Sequence, residues 1–240
     1  MTFSIIVPTF NEERIIAKTL GAIRHHLSNI DYELIVTDDG STDRTCEIAE
    51  RYADRVVRLT GPKGTIGANR NRGARVAHGE YLVFVDADIS IPRAQDCFAA
   101  IAADFKDNPR LVGMTVKIKG APGEERMVDA IVHGILSGVF WFMNSVLRKG
   151  AASGEFQVIR RDAFEKLHGY NESLPAGEDN ELFLRLSRLG RTRIDLRLTA
   201  HRDNRRIKQL GWPCLLKLWM VNYCSVVLLH RSHATEWPPK

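Results

Sequence analysis

The 240-residue chain is 44% hydrophobic, 26% charged and 8% aromatic, which excludes a disordered, collagen-like or disulfide-scaffold protein. Its four cysteines, Cys46, Cys97, Cys214 and Cys224, form no CxxC pair, arguing against a zinc site and for a reducing compartment. The formal net charge of +5 suits an anionic ligand, a membrane surface or nucleic acid without choosing among them.

The apolar run 3–7 at the start is shorter than the core of a signal peptide, so the expected location is the cytoplasm. Residues 3–7 and 33–37 are apolar runs suited to buried strands, and 12–26 and 42–52 read as helices. Residues 56–59 and 81–85 continue the strand series, with a helix over 66–78 expected to close at Gly79. Strands alternating with helices predict an α/β fold with a mostly parallel central sheet flanked by helices. Further strands are expected at 111–119, 156–160 and 194–198, and a helix at 179–188 ended by Gly190. No repeat or low-complexity linker divides the chain.

In such sheets ligands bind beyond the carboxyl ends of the strands, and those positions are polar here. Pro8-Thr9-Phe10-Asn11-Glu12-Glu13 follows the first strand, Asp38-Asp39-Gly40-Ser41-Thr42-Asp43 the second and Asp86-Ala87-Asp88 the fourth. Carboxylates crowded on one rim repel unless a positive group joins them. Asp86 and Asp88 can be a solvated turn or hard oxygen ligands for Mg2+ or Mn2+. A phosphatase-type DxD belongs after the first strand, where Pro8-Thr9-Phe10 stands instead. In the second segment Ser41 is a plausible N-cap, Gly40 permits the turn and Asp43 favours the positive helix end. Asp38 and Asp39 are left over, and a carboxylate there can accept N–H bonds from uracil or guanine.

Five segments, in order and spacing, resemble family-2 glycosyltransferases of the GT-A (Rossmann-like) fold. They are Ser4-Ile5-Ile6-Val7-Pro8-Thr9-Phe10-Asn11-Glu12-Glu13, Asp38-Asp39-Gly40-Ser41-Thr42-Asp43, Asn69-Arg70-Asn71-Arg72-Gly73, Phe84-Val85-Asp86-Ala87-Asp88 and Gly177-Glu178-Asp179-Asn180-Glu181-Leu182. The resemblance spans roughly residues 3–200 and implies a nucleotide-diphosphate-sugar donor. It implies that Pro8, Thr9, Phe10, Glu12 and Asp39 hold the nucleoside, with Asp39 on the base. It further implies Arg70 near the phosphates, Asp86 at the ribose or metal, and Asp88 on Mn2+ or Mg2+. The departing diphosphate gains negative charge in the transition state, which a divalent cation neutralises.

Asp179 is the candidate general base for an inverting transfer, with Glu178 orienting it or binding acceptor. Both would equally stabilise the dipole of a helix that starts there. His201, after the strand-like 194–198, is either structural or solvated, or, as the resemblance implies, a further metal ligand that would favour Mn2+. Arg202, Arg205 and Arg206 form a cationic run that is either a solvated face or a mobile phosphate clamp. No aromatic residue interleaves within it, so single-stranded nucleic acid is not the expected partner.

Residues 127–147 carry Asp129, His133, Ser137 and Asn144, continued by Arg148, as one polar stripe on an apolar helix, too interrupted to span a bilayer. Residues 210–229 carry Lys217, Asn222 and Ser225 among Trp212, Leu215, Leu216, Leu218, Trp219 and Met220. Core packing is expected for most of these apolar residues; peripheral membrane contact at the inner face, a lipid-linked acceptor and a homodimer face stay open. The reading is one domain over 1–240, with a donor half to about residue 105, an acceptor half and C-terminal helix over 106–230, and a tail over 231–240. The expected activity is metal-dependent transfer of a sugar from a UDP- or GDP-sugar to a carbohydrate hydroxyl or lipid phosphate. The rivals are a nucleotidyl- or phosphotransferase, for which no Gly-rich phosphate loop is present, and a non-catalytic sugar-nucleotide-binding protein.

Overall fold

The computed structural model describes residues 1–229, without the side chains of Arg206, Cys224 and residues 226–229. The tail expected over 231–240 lies outside the described residues. Eight strands form one sheet: β1 (Phe3–Thr9), β2 (Tyr32–Asp38), β3 (Arg55–Arg58), β4 (Tyr81–Val85), β5 (Ile89–Ser90), β6 (Leu111–Gly120), β7 (Phe156–Arg160) and β8 (Arg191–Arg202). Their order is β3-β2-β1-β4-β7-β6-β8-β5. The helices are α1 (Ile16–His26), α2 (Thr45–Ala49), α3 (Ile66–Arg75), α4 (Ala94–Asp107), α5 (Met127–Ser145), α6 (Arg161–Lys166), α7 (Glu178–Leu189) and α8 (Arg205–Leu229).

The pleat distributes each strand between two cores. Ile5, Val7, Val83 and Val85 join Leu20, Phe98 and Phe105 on one face. Ile6, Leu82 and Phe84 join Phe164, Tyr170 and Phe183 on the other. Strands covered on both faces are near-continuously apolar, as β4 is; in β1 the buried Ser4 interrupts the run, its Oγ donating to Glu33 Oε1 at 2.6 Å. Each large apolar side chain buried this fully contributes roughly 1.5–3 kcal/mol. β1 pairs in parallel with β2 and β4, β2 with β3, and β6 with β8. β7 runs antiparallel to both β4 and β6, so it is the seam between the first four strands and the rest.

Several local expectations are corrected. α1 starts at Ile16, four residues late, because Asn11 has a positive φ of 55° and Glu12 N donates to Thr45 Oγ1 at 2.7 Å. α2 is shorter than 42–52, and Ser41 does not cap it. Ser41 Oγ donates to Asp38 Oδ1 at 2.5 Å, while Asp43 Oδ1 accepts from Thr45 N at 2.9 Å. Asp38 is thereby accounted for as a turn residue: its Oδ2 accepts from Gly40 N at 3.0 Å and Ser41 N at 2.8 Å. Gly79 does not close α3, which ends at Arg75; a Cβ on Gly79 would lie 2.5 Å from Ser4 N, so its role is close approach to β1. α4 was not anticipated, and it packs Cys97, Phe98, Ile101 and Phe105 onto the sheet. β8 runs through Arg202, which puts His201 within the strand rather than after it.

The expectation of core packing fails for α5. Its buried residues are the polar stripe Asp129, His133, Ser137 and Asn144, and most of its large apolar residues, Ile131, Ile135, Val139, Trp141 and Phe142 among them, are exposed. The stripe is held from inside: Trp212 Nε1 donates to Asp129 Oδ1 at 2.7 Å, and His133 Nδ1 lies 3.0 Å from Glu125 Oε1. Arg148 lies beyond the helix end and is exposed. α8 does pack, with Ile207, Trp212 and Leu215 buried against Val132 and Leu136 of α5. Gly211, at φ 72°, kinks it.

Candidate active site

A cavity of about 1080 Å³ lies at the carboxyl ends of β1, β2 and β4 and extends between α5 and α8. Pro8, Thr9, Phe10, Glu12, Asp39, Arg70, Asp86, Glu178, Asp179, Arg202 and Arg205 all line it. The structure therefore brings together eleven of the fourteen candidate residues. Asp88 and His201 are not among its lining residues, and the Arg206 side chain lies outside the described set.

Arg70 organises the buried wall. Thr65 caps the start of α3, its Oγ1 accepting from Ala68 N at 3.2 Å, and Asn69 and Arg70 of the helix are buried. Arg70 Nη1 donates to Glu178 Oε1 at 2.7 Å. Its Nη2 donates to Asp86 Oδ1 at 3.0 Å and Gly154 O at 2.7 Å. Its guanidinium carbon stands 5.4 Å from the centre of the Tyr170 ring. The planar fork thus ties β4, α7 and the loop before β7 in a way a lysine ammonium would not.

Glu178 and Asp179 occupy the first turn of α7, after Gly177 at φ 81°. Burial pushes the Glu178 carboxyl up to about 7, the Asp179 charge adds to the rise, and Arg70 opposes it. Burial also raises Asp179, against hydrogen bonds from Asn180 N and Nδ2. Glu178 is buried and Asp179 half-buried, so Asp179 is the more accessible of the two. A Cβ on Gly154 would sit 2.9 Å from Asp179 Oδ2; the glycine keeps that approach open.

Asp39 is the acid that the end of β2 contributes to the cavity lining. Its Oδ1 accepts from Arg72 Nη2 at 2.6 Å and Gly64 N at 3.3 Å. The half-exposed end of this pocket carries Phe10, with Lys63 Nζ 3.9 Å from its ring centre. Thr9 Oγ1 lies 3.2 Å from Thr37 O and from Asp38 Oδ1. Arg202 Nη1 lies 2.7 Å from Glu155 Oε1. Arg205 contacts Glu12 Oε2 and Asp203 Oδ2, each at 3.4 Å.

For a divalent cation the donor chemistry fits. Asp86 and Asp88 offer hard oxygens at the end of β4. His201 Nδ1 is 2.7 Å from Gly120 O; a carbonyl only accepts, so Nδ1 carries the proton and Nε2 the lone pair a metal needs. The β5–β8 pairing aligns Ser90 with His201, and Asp203 N donates to Asp88 O at 3.2 Å. Among the described residues no group of three or more His, Cys, Asp and Glu stands assembled for a metal. Mg2+ sites commonly use one or two protein carboxylates and take further oxygens from substrate phosphates.

The model of the family described as Glycosyl transferase family 2 matches residues 4–168. The chain belongs to glycosyl transferase family 2. It is 34% identical over 128 residues to the Staphylococcus aureus poly(ribitol-phosphate) beta-N-acetylglucosaminyltransferase TarS, covering 51% of this chain and 22% of that protein. It is 28% identical over 207 residues to the Rhizobium meliloti succinoglycan biosynthesis protein ExoA, covering 78% and 58%. This family-2 chain therefore spans about a fifth to three fifths of the length of these two curated relatives. Its fold is shared with the Pyrobaculum calidifontis mannosyltransferase PcManGT, solved with GDP-Man and Mn2+, at TM-score 0.71 and 20% identity over 99% of this chain and 66% of that one. S. aureus TarS 1-349 with UDP-GlcNAc gives TM-score 0.68 and 23% identity over 85% and 59%. These likenesses establish the GT-A α/β architecture.

Within this family-2 site, sequence reasoning missed Arg72, Lys63, Gly154 and Glu155. Arg72 stood inside the quoted Asn69–Gly73 segment, and its two-residue offset from Arg70 was the available signal. Gly154 and Glu155 precede an apolar strand as a short polar break. Nothing in the local sequence ties Lys63 to Phe10.

Proposed function

We propose that this protein is a metal-dependent glycosyltransferase moving a sugar from a UDP- or GDP-sugar to a carbohydrate hydroxyl or a lipid phosphate, with inversion. The observation that carries this reading is the convergence in one cavity of Asp39 from β2, Asp86 from β4 and Asp179 from α7, with Arg70 bridging Asp86 to Glu178. TarS with UDP-GlcNAc and PcManGT with GDP-Man and Mn2+ support the donor class.

In this reading Asp39 Oδ2 accepts a base N–H while Arg72 holds Oδ1 in place. Phe10 and Lys63 flank the nucleoside. Asp88, Asp86 and His201 would hold Mn2+ or Mg2+, which when bound offsets the charge gathering on the departing diphosphate. Arg202 and Arg205 face the phosphates from the other side of the cavity. Asp179 takes the proton of an acceptor hydroxyl as that oxygen attacks the anomeric carbon, and its burial-raised basicity suits the task. Glu178, fastened to Arg70, positions Asp179. The free thiols of Cys46, Cys97 and Cys214 support a reducing location such as the cytoplasm.

The test is product analysis with UDP- and GDP-sugars, Mn2+ and a panel of hydroxyl and lipid-phosphate acceptors. Transferred sugar with free nucleoside diphosphate is the expected outcome. Pyrophosphate release would assign a nucleotidyltransferase instead, and donor binding with neither transfer nor hydrolysis would assign a binding protein.

A further inference from the structure

We infer that the outer face of α5 is a docking surface for an anionic lipid bilayer, with the helix lying in the plane of the membrane surface. Helices of water-soluble proteins turn their apolar side inward; α5 buries its polar stripe and leaves most of its large apolar residues exposed, with Val132 and Leu136 packed against α8. Asp129 is 1% exposed, whereas Ile131 is 55% and Ile135 61% exposed. Val139 and Phe142 continue the same exposed stripe. A Cβ added at Gly134 or Gly138 would meet nothing within 4 Å, so no described part of the chain covers this face.

Length and composition alone would let α5 cross a bilayer. Its inner stripe forbids that, because Asp129 is bonded to Trp212 and Asn144 Nδ2 donates to Ala151 O at 2.7 Å. A helix tied down along one side and apolar along the other can only lie at the interface. Charge selects the occupant. Arg148 and Lys149, just beyond the carboxyl end of α5, are exposed, while at the other end Arg126 is paired with Asp129, the sole acid of α5, its Nη2 donating to Asp129 Oδ1 at 2.9 Å. Such an array matches anionic headgroups. A second copy packed parallel through this face would set Arg148 and Lys149 against their own counterparts.

The surface also communicates with the cavity. Val139, Leu216 and Met220 are at once exposed and part of the cavity lining, so its apolar end opens on the docking face. Where the glycosyltransferase reading holds, this favours a lipid-linked acceptor that reaches Asp179 without leaving the membrane surface.

The experiment is vesicle flotation of the full chain with phosphatidylcholine alone and with phosphatidylcholine containing phosphatidylglycerol. The wild-type protein should float with the anionic vesicles. Ile131→Glu/Ile135→Glu should lower the bound fraction roughly tenfold or more. Arg148→Gln/Lys149→Gln should lower it roughly fivefold per cation and weaken the salt dependence. Circular dichroism and the thermal shift induced by sugar nucleotides should be unchanged, since none of these side chains is part of the donor site. Failure to float with either vesicle, or full binding by the Ile131→Glu/Ile135→Glu protein, would overturn the docking surface. A dimer dissolved by that variant would overturn it in favour of self-association. A retained sugar-nucleotide response in any of these cases leaves the donor reading standing, so the two ideas fail separately.

Discussion

Arg70 and Glu178, 108 residues apart, meet through a 2.7 Å charge-assisted hydrogen bond in the buried wall of the cavity. The same guanidinium holds Asp86, so one side chain neutralises acids from two elements. Arg70→Met should destabilise the protein by about 3–5 kcal/mol at neutral pH, because it takes the guanidinium from the buried Glu178 carboxyl. Arg70→Lys should rescue only part, since an ammonium cannot span both acids as a fork does. Urea unfolding measures both.

Glu178 gives stability a particular pH dependence. Its folded value is pushed from 4.5 up to about 7, so between those pH values the native state holds a proton that the unfolded chain has released. Stability should therefore fall as pH rises from about 4.5 to about 7, by at most about 1.4 kcal/mol per pH unit. Glu178→Gln should flatten that part of the profile. Unfolding midpoints of the two proteins across this range provide the comparison, and parallel profiles would place the proton elsewhere.

Asp179→Asn should leave nucleotide binding intact and slow transfer to a hydroxyl acceptor by roughly 10²–10⁴-fold, the usual contribution of a positioned base. A phosphate acceptor arrives already ionised. A mild effect with lipid phosphate alongside a severe effect with hydroxyl acceptors would match the proposed role; no effect with either would exclude it.

The main-chain oxygen of Asp88 accepts from Asp203 N at 3.2 Å, a contact that Asp88→Ala retains. The variant should lose the part of the donor-induced thermal shift that depends on Mn2+, and chelation of the wild-type protein should do the same. A full Mn2+-dependent shift in Asp88→Ala would remove this residue from the metal set.

The sequence made the strands most legible. β4 was located to the residue because it is fully covered, apolar throughout and bounded by polar breaks; β7 was located as well, although Gln157 interrupts its apolar run. The rim acids followed from topology, since strand ends of such sheets carry the site. What stayed hidden were pairings set by distant elements: Arg72 with Asp39, Arg70 with Glu178, and Glu155 with Arg202. The α5 periodicity disclosed a polar stripe but not its direction. Trp212 and Glu125 turn that stripe inward, and neither belongs to the helix it orients. Likewise, Asp38 looked like a ligand until its bonds to Gly40 and Ser41 showed it building the turn.

The position of β4 between β1 and β7 bears on how the chain is made. Residues Tyr81–Val85 are all buried and apolar, yet their second hydrogen-bonding edge is satisfied only by Phe156–Arg160. During synthesis, an adhesive ribbon therefore stays open while some seventy further residues are added. A nascent chain stalled in that interval would be prone to clump, and production of this protein should benefit from chaperones that shield unpaired strands.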